Sequence, residues 1–252
     1  LMTLAHAALR LPLPGQLPGP VHYALTVDST NTQARLAALA GAPLGSVFVA
    51  EQQTAGRGRD GRQWRTFPYT SLACSVLLPP VPQTLPLVAS LSVRRAVAAV
   101  TGQQLQIKWP NDLLWQGAKV GGILTEAVGQ PCYAYVVGVG LNVNPPLEQF
   151  GVDFTYISLA AGLPQPLPRE DILTALIQTL WQDAARLASD GFAAFRAEYE
   201  IACRSLGQTV TWRTAHSQLT GRAVAIAPSG ALQLELPDGT RHDCVAGDII
   251  QS

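Results

Sequence analysis

The sequence predicts an α+β protein in two parts: a β-sheet with flanking helices to about residue 205, then a small β-barrel. Three observations lead there. Before residue 205, apolar strand-like runs alternate with longer runs rich in Ala, Leu and Val. After Ser205 only short apolar runs remain, cut by Gly221, Pro228-Ser229-Gly230 and Asp238-Gly239, which is the spacing of a small barrel. A chain of 252 residues accommodates one large domain with a small one attached. The expected division is an N-terminal extension over 1–20, a main domain over 21–205 and a C-terminal β-domain over 206–252.

Residues 1–20 are rich in Pro and Leu and show no period. Asp28-Ser29-Thr30-Asn31 offers N-cap oxygens to a helix over 33–40, which Gly41 and Pro43 stop. Residues 46–50 read as a buried strand, and the polar, glycine-rich 51–65 as a loop. Ser71–Leu78 is a strand, followed by a proline-rich connection and a helix over 85–100. Residues 104–109, 113–115, 120–128 and 132–143 read as strands, with Gln116-Gly117 as a hairpin turn. Helices follow over 169–189 and 192–204. The last strands are 208–213, 219–227, 231–236 and 240–245. There are no internal repeats.

Composition excludes several classes. Lys plus Arg and Asp plus Glu each number 17, so the net charge is zero and only 13% of residues are charged, against ~25% in an average globular chain. Disorder through excess charge is excluded, and a broad nucleic-acid surface would be basic. Any electrostatic site is therefore local. Cys74, Cys132, Cys203 and Cys244 contain no CxxC pair, so the expectation is four buried free thiols in a reducing compartment. The uncharged stretches 66–93 and 127–147 are broken by Pro and Gly and do not read as spanning helices. The N-terminus lacks the pattern of a signal peptide. A soluble cytoplasmic protein, with no membrane partner, is expected.

Five segments have the residue types for chemistry. Gly56-Arg57-Gly58-Arg59-Asp60-Gly61-Arg62 alternates close-approach glycines with planar cationic forks. It reads as an anion-binding loop, a solvated hairpin tip or an RNA-binding segment. Lys108-Trp109-Pro110-Asn111-Asp112 makes a poor strand interior, since Pro lacks an N–H donor. It reads as a turn presenting Lys108, Asn111 and Asp112, or as a plain Asn-Asp turn. Lys119-Val120-Gly121-Gly122 clears space on a strand or marks a bulge. Gly138-Val139-Gly140-Leu141-Asn142 leaves a slot in a buried strand, for a ligand or for close packing; it is not a dinucleotide fingerprint, because no GxGxxG occurs. Ser29-Thr30-Asn31 is a polar-head contact or an ordinary N-cap.

Taken together and in this order, the five segments resemble the biotin protein ligase family. The resemblance runs from about residue 20 to the end. It implies a mixed β-sheet catalytic domain with flanking helices, of the class II synthetase-like kind, and a small C-terminal SH3-like β-barrel. The DNA-binding domain of bifunctional members has no counterpart before residue 20, so the monofunctional type and no DNA partner are expected. The family activates biotin with ATP to biotinyl-5′-AMP, releasing pyrophosphate. A lysine of a biotin carboxyl carrier protein domain then attacks the mixed anhydride and releases AMP.

That chemistry accounts for the residue types. A carboxylate must approach a phosphate, and two such charges at ~4 Å repel by about 1 kcal/mol in water and several in a drier site. The resemblance assigns Lys119 to the biotin carboxylate and α-phosphate, and Arg57 and Arg59 to the phosphate. Mg²⁺ neutralises the leaving pyrophosphate; its ligands are not assigned. A loop closing over the adenylate would exclude water. For biotin it implies Ser29, Thr30, Asn31 and Gln53 at the ureido ring, Gly56, Arg57, Gly58, Arg59 and Lys119 along the chain, and Gly122 and Gly138 leaving room. For ATP it implies Arg57, Arg59, Arg62, Trp64 as an apolar wall near adenine, Lys108, Asn111, Lys119 and Asn142. Asp112 would orient the acceptor amine, and with Lys119 and Arg59 completes the catalytic set. Asp60 stands where some members carry a further Arg. Homodimer formation is left open. The alternatives are a lipoate-type acyl-adenylate ligase on the same scaffold and a non-catalytic biotin- or RNA-binding protein.

Overall fold

A computed structural model describes residues 17–151 and 155–251. The extension expected over 1–20 therefore lies outside the described residues as far as residue 16. Seven strands form one mixed sheet, in the order β1-β2-β3-β7-β6-β5-β4. They are β1 (Val21–Val27), β2 (Val47–Gln53), β3 (Ser71–Leu78), β4 (Gln106–Lys108), β5 (Asp112–Trp115), β6 (Ala118–Val128) and β7 (Ala134–Asn142). Only β1 and β2 pair in parallel, joined by helix α1 (Thr30–Leu39). Helices α2 (Leu85–Thr101), α3 (Arg169–Asp190) and α4 (Ala193–Ala202) complete this part.

The period of two along each strand sorts its side chains onto two faces. Leu72, Cys74 and Val76 of β3 and Val137, Val139 and Leu141 of β7 pack into the large core shared with α2 and α3. The alternate positions, Phe48, Leu77, Val128 and Val136, close a second cluster on Ala34 and Ala38 of α1. That second face also carries the small and polar residues Ser75, Gly122, Gly138 and Gly140. Register gathers them: Gly122 lies opposite Gly140 and Ser75 opposite Gly138. The result is a shallow floor beside the start of α1.

Three assignments before residue 60 need correction. Residues 21–27, assigned no element from sequence, form the edge strand β1, half-exposed and held by its parallel pairing to β2. Residues 51–53 are strand rather than loop. Glu51 is 1% exposed because Arg169 pairs with it at 2.8 Å and the Tyr23 hydroxyl donates to it at 3.0 Å. Burial, with Glu51 beside it, pushes that hydroxyl up to about 12, so it stays a donor. Helix α1 begins at Thr30, three residues before the expected start, and Ser29 makes no side-chain cap bond. Asp28 instead accepts from the Ser29 N–H and from Gln33, which lowers its pKa.

The C-terminal strands β8 (Thr209–Arg213), β9 (Gln218–Ile226), β10 (Leu232–Glu235), β11 (Arg241–Cys244) and β12 (Asp248–Gln251) form an antiparallel sheet, in the order β11-β10-β9-β8-β12. Among the described residues its edges do not meet, so the expected barrel is an open sheet. Its apolar face has no need of closure, because Val210, Ala223, Leu232 and Ile249 join the main core. Cys74, Cys203 and Cys244 are buried free thiols, but Cys132 is only partly buried. No helix among the described residues is long and apolar enough to cross a membrane.

Candidate active site

An open cleft of about 740 Å³ lies over the glycine floor. Most of the residues singled out in the sequence line it: Ser29, Thr30 and Asn31 from the start of α1, Gln53 from the end of β2, Arg57, Gly58, Arg59, Arg62 and Trp64 from the following loop, Asn111 just before β5 and Asp112 at its start, and Lys119, Gly122 and Gly138 from β6 and β7.

One end of the cleft is a polar network with fixed orientations. Ser75, fully buried, donates to Asn31 Oδ1 at 2.6 Å and lies 2.8 Å from the Thr30 hydroxyl. Gln53 Oε1 accepts from the Thr30 backbone N–H at 2.8 Å, and its amide donates to Thr66. Asn31 Nδ2 donates to Glu126 Oε2 at 2.7 Å. Gly138 is small because Asn31 occupies its side of the strand: a Cβ there would sit 2.0 Å from Asn31 Oδ1. The room expected at Gly138 is thus filled by a side chain of the site. At Gly122 a Cβ would be 3.7 Å from Lys119 and Asp112, so space remains.

The other end is cationic. The loop folds as a hairpin, with Gly58 N–H donating to Arg62 at 2.7 Å and left-handed backbone at Asp60 and Gly61. Asp tolerates that conformation, so Asp60 sits at the tip without the penalty a branched residue would incur. Three of the cleft's four cations have carboxylate partners. Lys119 Nζ is 2.6 Å from Asp112, Arg57 is 3.3 Å from Glu126, and Arg62 pairs with Asp248 of β12. Arg59 is the fourth and has no carboxylate partner among the described residues; it donates to the neutral Asn111 amide oxygen at 3.3 Å. Asn111 is itself fixed by Ile123, donating to its carbonyl at 2.6 Å. One of the four cations, carried by the loop, is therefore left without a carboxylate partner among the described residues.

Asn142 opens not into this cleft but into an adjoining recess with Trp64, Phe67, Phe150 and Tyr156. Asn142 is 2% exposed, and among the described residues its Oδ1 has no hydrogen-bond partner; nor has the buried Trp64 Nε1. Trp64 lies over β7 because residue 140 is Gly: a Cβ there would be 2.3 Å from the indole. Aromatic walls around an unsatisfied acceptor suit a flat heterocycle with an amino group. Lys108 lines a further recess with Arg62, Asp112, Arg213 and Asp248, beside the C-terminal sheet. Gly56 does not line the cleft; its carbonyl accepts from Trp64 N–H at the hairpin base. Sequence reasoning missed Ser75, Glu126, Phe150, Tyr156 and Asp248, and singled out Gly140 only as part of the glycine slot, without its neighbour Trp64.

Comparison with known proteins agrees with this geometry. Residues 23–142 match the model of the Biotin/lipoate A/B protein ligase family, and residues 205–250 match the biotin protein ligase C-terminal domain. A biotin–[acetyl-CoA-carboxylase] ligase of Mycobacterium tuberculosis is 36% identical over 233 residues, covering 88% of this chain and 76% of that one. One from Paracoccus denitrificans is 33% identical over 225 residues, covering 84% and 92%. The structure of the Aquifex aeolicus biotin protein ligase in complex with biotin and ATP superposes with a TM-score of 0.81 at 27% identity, covering 92% of this chain and 99% of that one. With both parts of the chain matched and relatives of this identity aligned over most of their length, the chain belongs to the biotin protein ligase family.

Proposed function

We propose that this chain activates biotin with ATP to biotinyl-5′-AMP and transfers biotin to a lysine of a biotin carboxyl carrier protein domain. The observation that carries the reading is the placing of Lys119 and Arg59 between a polar-ended slot and an aromatic recess with an unsatisfied acceptor. In this reading the ureido ring meets Ser29, Thr30, Asn31 and Gln53. The adenine lies against Trp64 with its amino group toward Asn142, and the phosphates face Arg59, Arg62, Asn111 and Lys108.

Biotin's carboxylate oxygen attacks the α-phosphorus and pyrophosphate leaves. Lys119 neutralises the two approaching anions, and Arg59 takes the phosphate charge that no carboxylate already balances. In the second step the acceptor amine attacks the acyl carbonyl and AMP departs. The amine loses a proton, and Asp112, beside Lys119, is the carboxylate placed to orient the amine and receive it. Among the described residues no cluster of three His, Cys, Asp or Glu side chains could cage a metal ion. That suits Mg²⁺ carried by the nucleotide phosphates, with Asp112 as the nearby carboxylate. Its contribution would be to neutralise the departing pyrophosphate. The use of ATP and the free thiols support a cytoplasmic location.

The test is exchange of labelled pyrophosphate into ATP by the purified protein with Mg²⁺. Exchange that requires biotin and is not supported by lipoate is expected. Exchange with lipoate alone, or none from folded protein, would overturn the reading.

A further inference from the structure

Glu126 has no role in the reading above, yet its carboxylate bonds two residues that line a cleft read as taking anions, Asn31 and Arg57. Such a group raises the cost of binding a carboxylate or phosphate unless its own charge is held elsewhere. Its partners show where. Oε2 accepts from Asn31 Nδ2 at 2.7 Å, and Arg57 Nη2 lies 3.3 Å from Oε1 and 3.4 Å from Oε2. Glu126 stands on β6, between the start of α1 and the Gly-Arg loop, and touches both. Asn31 has few other orientations open to it: Ser75 donates to its Oδ1, and Gly138 gives it room.

We infer that Glu126 is a positioning residue that fastens the Gly-Arg loop, through Arg57, to the head-group end of the cleft. The inference rests on the reading of the cleft as the biotin and ATP site. One carboxylate performs two separable tasks. Its lone pairs orient the Asn31 amide, so that the ureido end is formed. Its charge holds Arg57 and with it the hairpin, so that Arg59 is presented to the phosphate and the adenylate is covered. Arg57 is therefore committed to Glu126 rather than free for phosphate, which leaves Arg59 as the loop's unneutralised cation.

The two tasks separate by substitution. Glu126→Gln keeps an oxygen for Asn31 and loses the charge. A half-exposed ion pair of this kind shifts an equilibrium by about two- to fivefold. Glu126→Gln is therefore expected to release biotinyl-adenylate about two- to fivefold faster, with a smaller change in the KM for biotin. Glu126→Ala is expected to raise both. In the Arg57→Gln background, Glu126→Gln is expected to add nothing to the release rate. Unchanged release in Glu126→Gln, or additive effects in the double variant, would overturn the inference. Failure of the wild-type protein to form adenylate would instead strike at the functional reading. A substrate-free measurement then still decides: hydrogen exchange at the Gly58 and Trp64 amides is expected to be faster in Glu126→Gln, and equal rates would reject the link.

Discussion

Lys119 extends from β6 across the space that Gly122 leaves, and its ammonium meets Asp112 at 2.6 Å. In the proposed reaction it stands where biotin's carboxylate and the α-phosphate would meet. Removing a fixed charge from such a point costs about 100-fold or more in the chemical step. Lys119→Ala is expected to lose pyrophosphate exchange by at least that factor while keeping its circular dichroism spectrum; near-normal exchange would remove Lys119 from the centre of the mechanism. Arg59 acts later. Because no carboxylate among the described residues balances it, Arg59→Gly is expected to form adenylate and lose it about tenfold faster, the worth of one charged hydrogen bond. A chase of labelled biotinyl-AMP reads that rate, and an unchanged rate would end the guarding role. Both residues were legible in sequence because a Lys beside two glycines and alternating Arg and Gly are unusual patterns. Glu126 and Asp248 were not. A carboxylate on an alternating strand looks like a solvated one until register and the second sheet bring Arg57 and Arg62 to it.

Along β7 the two glycines at 138 and 140 look equivalent in sequence, and the structure gives them different neighbours. A Cβ at 138 strikes the Asn31 carboxamide, and one at 140 strikes the Trp64 indole. Overpacking of this kind costs about 1–3 kcal/mol, or roughly tenfold in a binding constant. Gly138→Ala is thus expected to raise the KM for biotin about tenfold and leave ATP little changed, and Gly140→Ala to do the reverse. Equal effects of both variants on both substrates would mean that the strand, not the two side chains it admits, had been damaged. The elements themselves were readable where hydrophobic period and turn chemistry agreed. Ser71–Leu78 matches to the residue, and Gln116-Gly117 turns with both residues at positive φ. The end of β2 was hidden because a buried carboxylate mimics a loop until its partner, Arg169, arrives from 118 residues away.

For the whole molecule, the change of texture after Ser205 marked a second sheet, but no local signal says how that sheet leans on the first. One of the contacts is made by Trp109, within the Lys108–Asp112 turn. Trp109 is 2% exposed; its indole N–H donates to the Gly230 carbonyl at 3.0 Å and its backbone N–H to the Ser205 hydroxyl at 3.2 Å. The Tyr199 hydroxyl donates to the Pro110 carbonyl at 3.2 Å, and Arg204 N–H to the Ile107 carbonyl at 2.8 Å. The turn that presents Asn111 and Asp112 is therefore clamped from behind by α4 and the C-terminal sheet. Phe at 109 would keep most of the packing and leave the buried Gly230 carbonyl without its donor, at a cost of about 1–3 kcal/mol. Trp109→Phe is expected to lose that much stability in urea. In the proposed function the clamp sets Asn111 in the cleft and Lys108 in the recess beside it, both toward the phosphates, so the KM for ATP is expected to rise while that for biotin holds. Loss of stability with both KM values unchanged would make the C-terminal sheet a support for the fold alone, with no part in placing the catalytic turn.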